Sequence, residues 1–391
     1  MWIEELRLRD FRNYGEITLR PHRGMNLFFG QNGSGKTNLL EAAHYCALGK
    51  SHRTNADREV VRRGCPMGAC SVRVAHADGS RSEVTLRLAP EEHNKKQVWI
   101  DRKRAARLAD LMGHLGCVIF SPEDLSLVRE GPAVRRRLMD MFISQLSPRY
   151  FIALQRYSQA LESRNALLRD ARREGALRGE LMTPYEELMS QAAGIILPER
   201  ARIMEQLSAL AAEKYAAIAG REGEDFSLRY LPCMAVESFS PEKMAEKLAQ
   251  RREEEVFRGS TGFGPHREDL EFTLRGREMK PFASQGQVRT AALAVRLAQL
   301  ALFTRQRGES PVLLLDDVMS ELDKTRRARL LEEISGVQTF VTCTDESDLD
   351  DFTDKRTWQV SLDGEACGCV RQTRAGAPEE AVPEDPEPDF S

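Results

Sequence analysis

The chain has 391 residues, 41% hydrophobic and 30% charged, enough for two domains or for one domain with a large insertion. No apolar run approaches the roughly 18 residues a membrane span needs. The opening MWIEELRLRDFRNY is charged from its fourth residue and alternates like a strand, unlike a signal peptide, so a cytoplasmic protein without a membrane partner is expected. A net charge of −3, from 57 bases and 60 acids, excludes a general polycation. Six of those acids and no base lie between Pro378 and Ser391, and the remaining body carries +3, so any nucleic-acid binding must use local basic patches.

In chain order, IEELRLRDF, EITLRP and GMNLFFG read as strands, the last stopping at Gly30. A helix follows from Lys36, with Leu39, Leu40, Ala43 and Ala47 on one face. SVRVAHA, SEVTLRLA and QVWID alternate as antiparallel strands with charged turns, and GCVIF is a further strand ending at Phe120. Residues 148–219 are helical, with Phe151, Leu154, Leu161 and Leu168 marking one face; a second helix starts at Thr183-Pro184 and Gly220 ends it. DLEFTLRG returns to strand, and a helix runs from about Gln285 to Arg305. PVLLLDD is an apolar strand, TRRARLLEEIS a helix and QTFVTCT a strand. The Pro- and acid-rich end from about Arg374 should be disordered.

This order predicts an α/β nucleotide-binding fold split by a helical insertion: 1–121 with the glycine-rich loop, 122–258 the helical arm, 259–370 the returning part, and 371–391 the acidic tail. Eight cysteines at 46, 65, 70, 117, 233, 343, 367 and 369 contain no C-x2-C pair of a zinc site, and incidental reduced thiols are expected.

The strongest motif is Gly30-Gln31-Asn32-Gly33-Ser34-Gly35-Lys36-Thr37, a full match to G-x4-G-K-[ST] between an apolar strand and a helix. Its glycines let backbone N–H groups turn toward phosphates, and the helix N-terminus adds its positive end. Lys36 is then the group for the β- and γ-phosphates of ATP and Thr37 a magnesium ligand. In Val312-Leu313-Leu314-Leu315-Asp316-Asp317 a buried strand ends in two carboxylates. Asp316 is placed to hold the magnesium, and Asp317 stands where a water-activating carboxylate is needed.

A third element points beyond a P-loop kinase or GTPase. Ser284-Gln285-Gly286-Gln287 opens a helix about 25 residues before the acidic strand and resembles the ABC signature loop, which contacts the γ-phosphate held by a partner subunit. Ser284 also suits a helix N-cap. Ser320-Glu321-Leu322-Asp323 resembles the D-loop. Together they imply an ABC-type P-loop ATPase head and two chains meeting around two ATP molecules. A transporter subunit would need Gln and His loops that FSPED and QTFVTCTD lack.

LRDFRNY, GQNGSGKTNLLEA, KSHRT, FSPEDLSLVREGPAVRRRLMD, TGFGPHREDL and LLLDDVMSELD resemble the RecF family, over most of the chain. The short arm agrees, since the related SMC proteins carry arms of hundreds of residues. The resemblance implies an ATP-dependent dimer binding single-stranded DNA and gapped duplex in replication, DNA-damage repair and the SOS response. RecR-like and RecO-like partners then help load the RecA recombinase. It assigns Gly30–Thr37 to ATP, Asp316 to magnesium, Asp317 to hydrolysis and Ser284, Gln285 and Gly286 to action in trans. Asp317 stands where ABC ATPases usually have Glu, and the missing Gln and His imply slow hydrolysis, used as a timer. Arg53 of KSHRT is a candidate phosphate contact. Arg102, Lys103, Arg104 and Arg107, then Arg135–Arg137, then Lys95-Lys96, are candidate DNA patches. His266 and Arg267 are a family mark without a derivable role.

Overall fold

Alternation in the N-terminal segment becomes antiparallel sheet. β1 (Trp2–Phe11) buries Ile3, Leu6, Leu8 and Phe11; a register shift between Ile3 and Glu5 breaks the alternation once. It pairs with β2 (Tyr14–Leu19). β3 (Met25–Phe29) buries residues of both faces, as a central parallel strand must, and leads through the glycine-rich loop into α1 (Lys36–Leu48). The stripe Leu39, Leu40, Ala43 and Ala47 is buried as expected, but so are Glu41, His44, Tyr45 and Cys46. This helix therefore lies inside the fold, and its polar groups must find partners there.

β4 (Gly68–Ala75), β5 (Arg81–Leu88), β6 (Lys96–Ile100) and β7 (Lys103–Arg104) complete an antiparallel sheet of order β2-β1-β4-β5-β6-β7. β8 (Cys117–Phe120) belongs to a second sheet. The computed structural model describes residues 1–54, 56–91, 96–176, 178–220, 224–346, 355–363 and 367–374. Lys95 and the acidic tail lie outside the described residues.

After β8 come α2 (Ser126–Arg129), α3 (Pro132–Leu146), α4 (Pro148–Glu174) and α5 (Gly179–Ala219). The sequence reading does not foresee α3, whose buried Leu138, Met139, Phe142 and Ile143 recur at helical spacing among arginines. α5 starts at Gly179, ahead of the expected Thr183-Pro184, and carries Pro184 and Pro198 inside. Each proline lacks an N–H and frees one carbonyl without ending the helix. β9 (Phe226–Leu231), α6 (Pro241–Gln250), α7 (Arg252–Arg258), β10 (Asp269–Leu274), β11 (Arg277–Glu278) and α8 (Met279–Phe282) follow. The strands form a small antiparallel sheet of order β11-β10-β9.

The chain continues with α9 (Gln285–Arg307), β12 (Val312–Leu315), α10 (Lys324–Glu333), β13 (Thr339–Cys343), β14 (Lys355–Asp363) and β15 (Cys367–Arg374). The second sheet has the order β15-β14-β3-β13-β12-β8, parallel except for the β14–β15 hairpin. That terminal hairpin is not anticipated from sequence. The fold is an ABC-type ATPase head of mixed α/β sheets.

By contact the chain forms two compact units. One comprises Met1–Asp124, Ala217–Ala219 and the described residues from Gln299 on; the other comprises the described residues of 125–216 and 220–298. The expected 258/259 boundary falls inside the second unit, because β9 and β10 from its two sides pair along their whole length. Among the described residues no helix is long and apolar enough to cross a membrane.

Candidate functional site

The parallel sheet brings the two nucleotide motifs together. β3 and β12 flank β13 in parallel, so the glycine-rich loop and Asp316 both leave from the carboxyl ends of strands one position apart, where open α/β sheets place their ligands.

Two glycines of the loop admit no side chain. Gly30 has φ 152°, and a Cβ there would stand 2.1 Å from the Val360 carbonyl oxygen on β14. Gly35 has φ 113°, and its Cβ would meet Asn13 Nδ2 at 2.5 Å and the Tyr14 hydroxyl at 2.9 Å. Asn13 and Tyr14 form the back wall of the loop. Asn13 Nδ2 donates to the Ser34 carbonyl (3.0 Å), Tyr14 donates to the Gly35 carbonyl (3.0 Å), and Asn38 Nδ2 donates to Asn13 Oδ1 (2.8 Å). The RNY block noted as a family mark thus shapes the loop.

Gln31, Asn32 and Gly33 are exposed and Ser34 is buried. Lys36 Nζ donates to the carbonyls of Gly30 (2.6 Å) and Gln31 (3.0 Å). Burial lowers its pKa, opposed by Asp317, Cys343 and Asp316, so an anionic ligand here would meet an ammonium already short of solvation.

Asp316 Oδ1 accepts from Thr37 Oγ1 at 2.9 Å and from Thr342 Oγ1 at 2.7 Å. Burial raises the Asp316 pKa, with the Thr342 and Thr37 hydroxyls acting against it. Asp317 adopts φ 55°, uncommon for a residue with a side chain, and its N–H donates to Thr342 Oγ1 at 2.9 Å. Thr342 was not singled out from sequence. It is placed by the register Leu315↔Val341, and sequence alone does not say which strand lies beside β12.

Two buried oxygens, Ser34 Oγ and Asp317 Oδ1, have no hydrogen-bond partner among the described residues. Unsatisfied groups of this kind call for a ligand or ion. A hydroxyl and a carboxylate in contact are the oxygen donors a magnesium ion takes, and the loop before α1 suits phosphates. The residues fit ATP with magnesium.

Arg53 reaches the same neighbourhood. Its Nη1 donates to Asn38 Oδ1 at 2.9 Å and lies 3.5 Å from the buried carboxylate of Glu41. Arg12 grips Glu41 with two bonds, of 2.8 and 2.5 Å. Arg12, Asn13, Asn38, Arg53, Arg62 and Arg63 help line an open cleft of about 1000 Å³.

Ser284, Gln285 and Gly286 fall in the other compact unit. Ser284 Oγ accepts from the Gln287 N–H at 3.3 Å, and Gln287 Oε1 accepts from the Ser284 N–H at 3.0 Å. This is a reciprocal capping box, and Ser284 and Gln285 remain exposed.

Of the candidate DNA patches, Arg102, Lys103, Arg104 and Arg107 are all exposed. Arg135 is turned inward, with bonds of 2.6 and 2.8 Å to the two oxygens of Asp269, and Arg136 donates to the Glu268 carbonyl. Lys96 donates to the Gly49 carbonyl and pairs with Asp57. GPHRED also turns inward. His266 Nδ1 accepts from the Tyr157 hydroxyl at 2.7 Å while Nε2 meets the Thr261 carbonyl at 3.0 Å. Arg267 donates to the same carbonyl, and buried Glu268 binds Arg200 and Tyr230 at 2.5 Å each. The block holds α4 and α5 to the small sheet.

The family described as RecF/RecN/SMC N terminal domain matches residues 2–363. A DNA replication and repair protein RecF from Lactobacillus delbrueckii subsp. bulgaricus is 38% identical over 352 residues, covering 88% of this chain and 91% of that protein. A protein of the same name from Clostridium novyi is 35% identical over 354 residues, covering 90% and 96%. The solved structure of the recombination mediator protein RecF-ATP in the RecFOR pathway matches with TM-score 0.85 at 30% identity, covering 95% of this chain and 98% of that one. A Smc head bound to the C-winged helix domain of ScpA, at 16% identity and TM-score 0.55 over 95% of this chain and 98% of that one, shares the fold alone.

Proposed function

The chain belongs to the RecF family, and from that premise we propose that it is an ATP-gated DNA-binding switch of recombinational repair. In this reading it closes as a homodimer on single-stranded or gapped duplex DNA and helps RecR-like and RecO-like partners to load RecA. The observation that carries it is the contact between Thr37 and Asp316, beside a loop in which Gly30 and Gly35 admit no side chain.

Gly30–Thr37 would hold the triphosphate, with Lys36 on its outer phosphates; Thr37 and Asp316 would hold magnesium, which supplies charge neutralisation of the phosphates. Asp317, placed by the Thr342 bond to its own N–H, would orient or deprotonate a water. An aspartate is one methylene shorter than glutamate, so its carboxylate reaches less far from the backbone, which supports slow turnover. Ser284, Gln285 and Gly286 would complete the site of the second copy. A ligand that binds only the closed dimer shifts the population by its differential affinity. The division 1–121, 122–258 and 259–370, with an acidic tail, is proposed as a functional one of head, arm and head, in which residues 259–298 pack in one compact unit with the arm.

Light scattering with and without ATP and magnesium, on wild type and Lys36→Met, with gapped-DNA binding alongside, tests this. Dimerisation and DNA binding should need ATP in the wild type and fail in the variant. A monomer at saturating ATP, or nucleotide-independent DNA binding, sinks the switch and leaves a DNA-binding scaffold.

A further inference from the structure

We propose that the outer face of the antiparallel sheet, around Trp99, is a stacking site for single-stranded DNA. The inference rests on the DNA-binding reading above and deepens it. Val72, Val84, Leu86 and Val98 fix one face of this sheet inside, so their neighbours in sequence point the other way. The registers Arg104↔Trp99, Trp99↔Thr85, Thr85↔Ser71 and Ser71↔Arg7 place these residues in one row across five strands. The Ser71 and Thr85 hydroxyls meet at 2.8 Å, on the same face. Gln97↔Arg87 lies in the adjacent row. Trp99 is partly exposed, and Arg104 is exposed beside it.

Charge is paired at the β1 end of this face, and at the other end Arg102 lies 3.9 Å from Glu83. On β1, Glu5 pairs with Arg7 at 2.6 Å and Arg20 at 3.2 Å. At the β6–β7 end Arg104, on the Trp99 face, has no ion-pair partner among the described residues, while Lys103 is in register with Ile100 and takes the opposite face. Asp101, in the turn, accepts from the Glu83 N–H at 2.8 Å, and its own N–H donates to the Glu83 carbonyl at 2.8 Å. Asp101 and Arg102 take φ 49° and 63°, the two left-handed positions of a tight hairpin turn, and the Ala105 N–H closes on the Val98 carbonyl. Arg104 is therefore held on a short, pinned ribbon next to an indole. Cations for phosphates and an aromatic ring for a base are what a single strand requires. Duplex bases are already stacked and offer Trp99 no face.

The test is fluorescence anisotropy on the full chain with ATP and magnesium, using an oligothymidylate of about 20 nucleotides and a duplex of equal length over a salt series. Trp99→Ala should bind the single strand about tenfold more weakly and the duplex as wild type does, while Trp99→Phe keeps both. Arg104→Ala should flatten the salt dependence by about one phosphate contact. Three results overturn the proposal: Trp99→Ala binding the single strand like wild type, Trp99→Ala losing equally on the duplex, or Arg104→Ala keeping the full salt slope. If both Trp99 variants misfold, the charge variant decides alone. Wild type binding neither DNA removes the broader DNA-binding reading as well, which separates the two failures.

Discussion

Thr37 and Asp316 stand 279 positions apart in sequence, yet the Thr37 hydroxyl donates to Asp316 Oδ1 at 2.9 Å. The contact exists because β3 and β12 run parallel on either side of β13. Asp316→Asn keeps a hydrogen-bonding group and removes the charge a cation needs. Its ATP affinity with magnesium should fall by tenfold or more, roughly the scale of lost metal-site groups, while affinity without magnesium stays near wild type. Titration calorimetry with and without the cation checks this, and equal losses under both conditions would exclude a metal role.

Thr342 joins the Asp316 carboxylate to the Asp317 backbone, donating to Asp316 Oδ1 and accepting from the Asp317 N–H. Thr342→Val leaves the shape and deletes both bonds. We expect ATP turnover to drop on the order of tenfold, about 1.4 kcal/mol, with a smaller change in ATP affinity, and Thr342→Ser to restore it. Should Ser fail to rescue, the hydroxyl is not what matters.

Asn13 braces the glycine-rich loop through the Ser34 carbonyl and Asn38. Asn13→Ala removes both bonds, each contributing about 1 kcal/mol, and should weaken ATP binding by roughly three- to tenfold. The melting temperature without nucleotide should change little. Unchanged ATP affinity in an equilibrium titration would show that the loop keeps its shape without this brace.

His266 supplies a pH dependence. Burial lowers its pKa to about 4 from an ordinary 6.5. Between those values the unfolded chain binds the extra proton and the folded chain does not, so stability is present near neutrality and falls as pH drops. The loss at pH 4 and below is about 3 kcal/mol. His266→Gln should flatten the urea-unfolding stability profile between pH 7 and 4.5 relative to wild type. Parallel profiles would falsify this assignment.

The nucleotide motifs were legible because their chemistry is local. Gly30, Gly35, Lys36 and Thr37 must stand at fixed spacing for backbone N–H groups to surround a phosphate, and an apolar strand ending in Asp316 and Asp317 announces itself the same way. Arg135 and Arg136 misled for the opposite reason. A run of arginines looks alike on a solvated face and around the buried Asp269 and Glu268 carbonyl that receive them. α3 was missed because its apolar stripe is diluted by those same arginines.

Sequence by itself determined the family blocks, the strand–loop–helix entry to the site and the two-helix arm, all properties of spacing and periodicity within a few turns. Tertiary structure alone decided that Thr342 bridges Asp316 and Asp317, that Asn13 and Tyr14 wall the loop, and that Trp99 shares a row with Arg104. Those depend on which strands become neighbours and in what register. Strand order is settled by burial summed over the whole sheet, and no short window of sequence contains it.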